Sequence, residues 1–266
     1  MRIDTWEREI PVLEQPVMVE VFLPDLYEET EKRYPVLYIN DGQDVFRDDI
    51  SGGRESLRFE QYYRDYGRFL PEVILVAIHA PKEAAVRTAL YAPFTKFFQV
   101  PEGKNFESYI VGKGEQYLDW MTQELKREID SVYRTLPDAE ATGICGYSTG
   151  GLNCVYAILK YGHVFQRAII MSAAVSIWMD KLKEVLEQSD YSHIRRLYLD
   201  TGTNEFGRMT TDKEFLEGAE ALRICFQSSC ISKAIMKYNV YQDGIHSQRD
   251  WRMRFPDALR WIFPEY

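Results

Sequence analysis

GICGYSTGG, residues 143–151, places Ser148 at the centre of a glycine-rich corner. Glycine is used where a backbone must turn at positive φ or approach another backbone closely, and this stretch contains four glycines in nine residues. The apolar run Thr142–Gly146 before the serine is typical of a strand, and the segment after Gly151 is typical of a helix. The stretch therefore predicts a tight strand-to-helix turn with Ser148 at its apex.

Short β-branched runs alternate with longer helical patterns along the rest of the chain. We predict strands at Thr5–Ile10, Val17–Leu23, Val36–Asn40, Val73–His79, Thr142–Gly146, Arg167–Met171, Leu197–Thr201 and Ala234–Tyr241. We predict helices at Glu115–Val132, after Gly151, and at Asp180–Gln188, Lys213–Cys225 and Gln248–Trp261.

This alternation indicates a fold class. Continuous apolar runs such as Val73–Ile78 are expected of strands covered on both faces. Strands that alternate with long helices indicate a mostly parallel sheet, whereas the first two strands have no helix between them and predict an antiparallel edge. We therefore expect a single α/β domain over residues 1–266, with a mostly parallel central sheet of about eight strands and helices on both faces.

Composition excludes several classes of function. The 266 residues carry 41 acidic and 32 basic side chains, so a broad surface for nucleic acid or anionic lipid is not expected. The longest nearly apolar run, residues 168–179, is too short to span a bilayer, and the first ten residues show no secretory signal. Four cysteines without metal-ligand spacing favour reduced thiols in a cytoplasmic protein; they are Cys145, Cys154, Cys225 and Cys230.

Residues 146–150, GYSTG, match the G-x-S-x-G pattern. At a strand-to-helix turn this pattern is typical of a nucleophile elbow, in which a strained turn presents a serine hydroxyl. Free N–H groups at the amino end of the following helix can stabilise negative charge that develops nearby. We interpret Ser148 as a nucleophile, and the alternative is a tight turn with an exposed serine.

A serine nucleophile needs a base, and the chain offers four histidines. His163 follows a helix end, His193 lies in a polar connection, and His79 ends a strand that precedes the serine. In hydrolases with this elbow the chain order is nucleophile, acid, histidine. His246, after the last strand, occupies the last place and is the predicted base; the alternative is a capping or loop histidine.

The acid of a triad is expected between Ser148 and His246, at the end of the penultimate strand. Asp200 lies within that strand, and Glu205 lies beyond the Gly202 turn, at the edge of the sheet where ligands gather. We favour Glu205 because of this placement, and Asp200 stays open as the alternative.

With these residues placed, the chain resembles the putative esterase family of α/β-hydrolases, the group of enterochelin esterase-like proteins, feruloyl esterase domains and antigen 85 mycolyltransferases. The resemblance covers nearly the whole chain. It depends on the elbow and on four other stretches, namely YPVLYINDGQ at 34–43, GTNE at 202–205, DGIH at 243–246 and Trp251. It implies the α/β-hydrolase fold. Tyr147 and Thr149 depart from the G-S-S-M-G-G elbow of many relatives.

The resemblance also implies roles for particular residues. A G-T-x-D/E stretch supplies the acid in relatives, which supports Glu205, although certain relatives are thought to use a Ser–His dyad. The turn after the third strand is similar to the family's D-G-x turn, which implies an oxyanion hole made by the backbone N–H groups of Gln43 and Thr149. The alternative is that Asp41-Gly42 is only a turn. No metal or organic cofactor is implied.

Residues 83–114 lose regular periodicity and contain many aromatic side chains. A long loop in a compact domain is usually functional or disordered, and the aromatic content argues against disorder. We predict that this insertion forms part of a substrate pocket, with Tyr91 and Phe94 on its wall. Tyr147 is expected to contribute from the elbow, and Trp178 from the segment after the sixth strand. The alternative is that these rings seal a secondary hydrophobic cluster.

These expectations combine into a serine carboxylic-ester hydrolase that acts on a small-molecule ester through an acyl-enzyme. A siderophore lactone, a feruloyl or acetyl sugar ester and a small acyl thioester remain open as substrates. Two other hypotheses remain open, namely acyl transfer from the same site and a hydrolase-like binding protein that no longer turns over substrate.

Overall fold

An eight-stranded sheet with flanking helices dominates the computed structural model, which describes residues 1–51, 55–100, 102–104, 106–229, 232 and 234–266. The strands are β1 (Arg2–Arg8), β2 (Val17–Leu23), β3 (Val36–Asn40), β4 (Ile74–Ile78), β5 (Lys96–Phe97), β6 (Tyr109–Ile110), β7 (Thr142–Tyr147), β8 (Arg167–Met171), β9 (Arg196–Asn204) and β10 (Met236–Ile245). The helices are α1 (Phe59–Tyr66), α2 (Ala84–Tyr91), α3 (Gly114–Trp120), α4 (Lys126–Val132), α5 (Thr149–Lys160), α6 (Met179–Gln188), α7 (Asp212–Ser228) and α8 (Gln248–Ile262).

The large sheet has the strand order β1-β2-β4-β3-β7-β8-β9-β10. Strand β2 pairs antiparallel with both β1 and β4, and the remaining neighbours are parallel. Each of the eight predicted strands has its counterpart in this sheet, so the mostly parallel sheet and its antiparallel edge are confirmed.

Helices cover both faces of the sheet. On one face α2 to α7 enclose one hydrophobic core, and on the other α1 and α8 enclose a second. Alternate residues of a strand enter the two cores, as Tyr38 and Ile39 of β3 do. This double cover explains why β3, β4, β7 and β8 are buried along their whole length.

Among the described residues, no helix has the length and apolar character needed to cross a bilayer.

Secondary structure differs from expectation mainly between residues 83 and 114. Here the chain forms helix α2 and the small antiparallel ribbon β5–β6, where a loop was predicted. Helix α2 has only eight residues, about two turns, which is too short for a hydrophobic period to stand out. Helix α1, also of eight residues, was missed for the same reason. The predicted helix Glu115–Val132 is present but contains a π-helical stretch, Met121–Leu125, between α3 and α4.

Cysteine placement follows the apolar surroundings seen in the sequence. Cys145 on β7 and Cys154 on α5 are buried thiols, and Cys225 on α7 is half-buried. Cys230 lies outside the described residues.

The carboxyl ends of the parallel strands meet at one edge of the sheet, and four short connections follow them there. Ser148 follows β7, Ser172 follows β8, Glu205 follows β9 and His246 follows β10. Residues about a hundred positions apart in the chain therefore share one edge, the usual place for ligands in such sheets.

Candidate active site

Ser148 connects β7 directly to α5 in a strained conformation. Its φ of 56° and ψ of −127° lie in a region that a residue with a side chain rarely adopts, at a cost of about 1–3 kcal/mol. Four backbone hydrogen bonds hold it there. Its N–H donates to the carbonyls of Met171 and Ser172, both at 3.2 Å, and its carbonyl accepts from the N–H groups of Leu152 (3.2 Å) and Ala174 (3.0 Å).

Glycines make this turn possible because neighbouring backbone and side-chain atoms occupy the space that a Cβ would need. A Cβ on Gly146 would lie 2.5 Å from the carbonyl oxygen of Gly150. A Cβ on Gly151 would lie 2.9 Å from the Cβ of Ala173, in the connection after β8. Strand, helix and neighbouring loop therefore approach one another more closely than side chains would allow.

The elbow opens into a cavity of about 200 Å³. The residues around it come from the elbow, α2, the insertion, the loops after β8, β9 and β10, and α7. The lining residues are Arg87, Phe106, Ser148, Thr149, Ala174, Ile177, Phe206, Gly207, Arg208, Met209, Thr210, Phe215 and His246. The predicted nucleophile and the predicted base thus line one cavity.

A larger, more open cleft of about 550 Å³ lies at the opposite edge of the sheet, near the start of β8 and β9. Arg167, Arg195, Arg196, Glu140 and Glu265 are among its lining residues. None of its described lining residues is a histidine or a cysteine, so the smaller cavity is the candidate active site.

Three of the four histidines are engaged away from this cavity. His79 contacts Glu20 through Nε2 at 3.0 Å, and His193 contacts the carbonyl of Ile158 at 2.6 Å. His163 packs beside the ring of Tyr161. Only His246, of the four, lines the cavity with Ser148.

The imidazole of His246 is oriented by a carboxylate and two rings. Its Nδ1 lies 2.9 Å from Oε2 of Glu205, and only 13% of the side chain is exposed. The ring centroid of Phe215 lies 4.6 Å away, and Trp251 meets the imidazole edge-on at 4.9 Å. Since Nδ1 faces Glu205, Nε2 is the nitrogen available for proton exchange in the cavity.

Glu205 is fully buried and receives several donors. Oε1 accepts from the hydroxyl of Ser172 at 2.6 Å and from the N–H of Gly202 at 2.5 Å, and it lies 3.4 Å from Nη1 of Arg254. Burial alone would raise the pKa of Glu205, but hydrogen bonds from His246, Ser172 and Gly202 outweigh burial and lower it below its ordinary value. The side chain is therefore held as a carboxylate.

Asp200, the alternative acid, lies in the interior of β9 and is also fully buried. Its Oδ1 lies 3.3 Å from Nη1 of Arg254, on the α8 side of the sheet. Burial raises the pKa of Asp200 to about 7, against a smaller lowering by Arg254. Of the two acids, Glu205 is the one whose carboxylate is hydrogen-bonded to His246.

Ser172 and Arg254 contact Glu205, the predicted acid, and were not identified from the sequence. Ser172 has a positive φ of 45°, and its hydroxyl accepts a hydrogen bond from the indole N–H of Trp251 at 2.9 Å while donating to Glu205. Arg254, only 3% exposed, connects Asp200, Glu205 and Asp250. No spacing pattern identifies these residues, because Ser172 meets Glu205 between the segments after β8 and β9 and Arg254 reaches it from α8.

Two backbone N–H groups were predicted to form an oxyanion hole. Thr149 is the first residue of α5 and lines the cavity, and the first N–H groups of a helix have no partner within it. Gln43 lies in the 3₁₀ turn Gly42–Asp44 after β3, and its side-chain oxygen accepts from the N–H of Ala80 at 2.9 Å. Gln43 is not among the residues that line the cavity.

The turn that carries Gln43 is tied to the elbow. Asn40 donates through Nδ2 to the carbonyl of Gly150 at 3.2 Å. Asp41, at a φ of 58°, is held by two hydrogen bonds from Arg87, at 2.5 and 2.6 Å. The first turn of α5 and the turn after β3 are therefore held beside each other.

The four side chains expected on the pocket wall occupy packing positions instead. Tyr91 is fully buried, and its hydroxyl accepts from the N–H of Asp41 at 2.9 Å. Phe94 packs edge-on against Tyr156, with centroids 5.7 Å apart. Both rings support α2 from within the core on that face of the sheet, so the alternative of a sealed hydrophobic cluster describes them better.

Tyr147 and Trp178 also occupy packing positions instead of lining the cavity. Tyr147 ends β7 on the side of α8, where it stacks on Trp251 at 4.1 Å and donates to Asp44 at 3.1 Å. Trp178 is fully buried, edge-on to Phe98 at 4.9 Å. In the segment before Trp178, the residues that line the cavity are Ala174 and Ile177.

Comparisons with known proteins agree with this fold. The model of the family described as Putative esterase matches residues 10–262. The chain is 22% identical over 246 residues to the uncharacterized protein YbbA of Bacillus subtilis (strain 168), with 91% of each chain covered.

Two solved structures show the same architecture. A ferulic acid esterase superposes with a TM-score of 0.69 at 16% identity, covering 100% of this chain and 99% of that one. The enterobactin esterase FES from Shigella flexneri superposes with a TM-score of 0.71 at 16% identity, covering 99% of this chain; the chain spans 60% of the length of that structure. At these identities the likeness concerns the fold, and the family assignment depends on the match of the family model over residues 10–262. The chain belongs to the Putative esterase family and is an ester-hydrolysing enzyme.

Proposed function

We propose that the chain hydrolyses small carboxylic esters through a Ser148–His246–Glu205 triad and an acyl-enzyme. One observation carries this proposal: an imidazole hydrogen-bonded to a buried carboxylate lines the same cavity as a serine on a strained strand-to-helix turn. This arrangement meets the requirements for an activated serine nucleophile.

In the first half of the reaction the Ser148 hydroxyl oxygen attacks the ester carbonyl carbon, and its proton passes to Nε2 of His246. Glu205 stabilises the resulting imidazolium across the 2.9 Å contact with Nδ1. The tetrahedral intermediate then collapses, the carbon–oxygen bond to the alcohol breaks, and the leaving alcohol takes the proton from His246. The acyl group stays bonded to Ser148.

In the second half water attacks the acyl carbon while His246 accepts its proton. The second tetrahedral intermediate expels the Ser148 oxygen, which recovers the proton, and the carboxylic acid leaves. The negative oxygen of each intermediate is assigned to the N–H of Thr149, which lines the cavity. A second donor from the N–H of Gln43 stays a prediction, because Gln43 is not among the lining residues. Each such donor contributes about 10²–10³-fold in rate.

Replacement of the nucleophile tests the proposal. Ser148→Ala is expected to lower kcat for 4-nitrophenyl butyrate by about 10⁶-fold, to the level of a triad without its nucleophile. Ser189→Ala, at the end of α6 where the hydroxyl donates to the carbonyl of Val185, is the matched control and is expected to keep wild-type kcat. Turnover by Ser148→Ala at the wild-type rate would overturn the proposal. Ethanol added to the wild-type reaction distinguishes hydrolysis, which yields butyrate, from acyl transfer, which yields ethyl butyrate.

A further inference from the structure

The charge of the candidate active-site cavity is opposite to that of the whole protein. The chain has a net charge of −9, yet the cavity lining contains two arginines and, among the described residues, no aspartate or glutamate. Arg87 comes from α2, and Arg208 comes from the loop that follows Glu205. Both arginines therefore line the cavity that contains Ser148.

The charge of Arg87 is already balanced inside the protein. Its guanidinium forms two hydrogen bonds with Asp41, which is 1% exposed, and packs over the ring of Tyr91. This pair holds the turn after β3, so Arg87 has a structural task that accounts for it.

Arg208 is held differently, by neutral groups alone. Its Nη2 donates to the hydroxyl of Thr88 at 2.6 Å and to the carbonyl of Ala84 at 3.3 Å, and its guanidinium lies 5.2 Å from the ring centroid of Phe106. No carboxylate within the described ranges lies at salt-bridge distance from it. The acidic side chain that influences it is Glu107, which is exposed.

This placement orients a cation without neutralising it. The two hydrogen bonds use Nη2, so Nε and Nη1 keep donors for a ligand. The side chain of Arg208 is exposed to solvent, so a ligand can reach these donors, and partial desolvation and repulsion from the neighbouring Arg87 lower its pKa. An anion in the cavity would relieve this and would form charge-assisted hydrogen bonds.

We propose that Arg208 is a specificity-determining residue that binds a carboxylate carried by the ester substrate. This inference rests on the proposed function, because the bound carboxylate would share the cavity with the ester carbonyl attacked by Ser148. The loop from Phe206 to Thr210 would then combine two tasks, since it follows the triad acid directly and presents the group that selects the substrate.

Matched ester pairs test the proposal on either side of the ester bond. For the acyl side, mono-4-nitrophenyl adipate is compared with 4-nitrophenyl hexanoate; for the alcohol side, 4-acetoxybenzoate is compared with methyl 4-acetoxybenzoate. We expect the wild type to prefer the carboxylate member of at least one pair in kcat/KM. Arg208→Gln is expected to reduce that preference about tenfold, mainly through KM, since a charge-assisted hydrogen bond is lost. Arg64→Gln on α1, whose side chain is 61% exposed, is the control and should keep the preference.

Binding measurements separate this inference from the proposed function. Calorimetry with the Ser148→Ala protein compares non-hydrolysable amides, namely adipic acid monoanilide with hexananilide and 4-acetamidobenzoate with 4-acetamidobenzamide. Tighter binding of a carboxylate member, lost in Ser148→Ala/Arg208→Gln and weakened by added salt, would support the inference even if no ester were turned over. Equal binding of both members of both pairs, or a preference unchanged by Arg208→Gln, would overturn it, while Ser148-dependent turnover of the neutral esters would leave the proposed function standing.

Discussion

Glu205→Gln is the substitution that most sharply separates a triad from a Ser–His dyad. The carboxylate of Glu205 accepts hydrogen bonds at both oxygens, with Ser172, Gly202 and Arg254 at Oε1 and His246 at Oε2. All four partners are donors, and a glutamine amide offers only one oxygen beside an NH₂ group.

The structure predicts which way the amide will face. Three donors converge on the Oε1 position, so the amide oxygen is expected there and the NH₂ group is expected at His246. Nδ1 of His246 would then have to accept a hydrogen bond, which moves the imidazole proton to Nε2. In that tautomer Nε2 cannot take a proton from Ser148, and the loss of the negative charge also removes the stabilisation of the imidazolium. An amide in place of a triad carboxylate costs about 10⁴-fold in kcat, and we expect a loss of roughly 10³–10⁴-fold here.

Steady-state kinetics with 4-nitrophenyl butyrate measure this loss of kcat, and circular dichroism confirms that the variant is folded. The matched control is Asp200→Asn, which changes the other buried acid near Arg254 without touching His246; its kcat is expected to stay within about tenfold of wild type. If Glu205→Gln kept a kcat within tenfold of wild type, the triad would be refuted and a Ser148–His246 dyad would be the better account.

Three further predictions concern stability and support of the site. Burial raises the pKa of Asp200 to about 7 from an ordinary 3.8. Between about pH 4 and pH 7 the folded state therefore keeps a proton that the unfolded state releases. As pH rises through this interval, Asp200 lowers the free energy of unfolding. Asp200→Asn should therefore gain stability relative to wild type over this interval in urea unfolding, and a pH-independent difference would contradict the assignment. Gly146→Ala would place a Cβ 2.5 Å from the Gly150 carbonyl oxygen. In urea unfolding it should lower the free energy of unfolding by about 1–3 kcal/mol, and esterase activity should be lost. An unchanged urea midpoint would contradict the packing of the elbow. Ser172→Ala removes a donor from Glu205 and should lower kcat about tenfold with little change in KM; kcat equal to wild type would show that Ser172 does not position the acid.

The parts of this account that the sequence predicted depend on local or topological rules. The eight strands follow from short apolar runs, and the elbow follows from glycines flanking Ser148. His246 and Glu205 follow from chain order and from the meeting of strand ends at one edge of the sheet. Each of these rules uses only the order and pattern of residues in the sequence, and none requires knowledge of which side chains are in contact.

The parts that the sequence did not predict depend on packing between distant elements. Ser172 meets Glu205 where the segments after β8 and β9 lie side by side, and Arg254 reaches Glu205 from α8, which packs against β8 and β9. Tyr147 was expected on the pocket wall, but it packs in the core on the α8 side of the sheet and is not among the residues that line the cavity. Arg208 stands out only when the cavity, its lining and the missing salt bridge among the described residues are seen together.

The central claim is that His246 activates Ser148, and stoichiometric labelling with a fluorophosphonate tests it most directly. Intact-protein mass spectrometry of the wild type should show one adduct per chain, and peptide mapping should place it on Ser148. His246→Ala should react at least about 10³-fold more slowly, because the serine then has no base. Labelling at another residue, or an equal labelling rate in His246→Ala, would contradict the account.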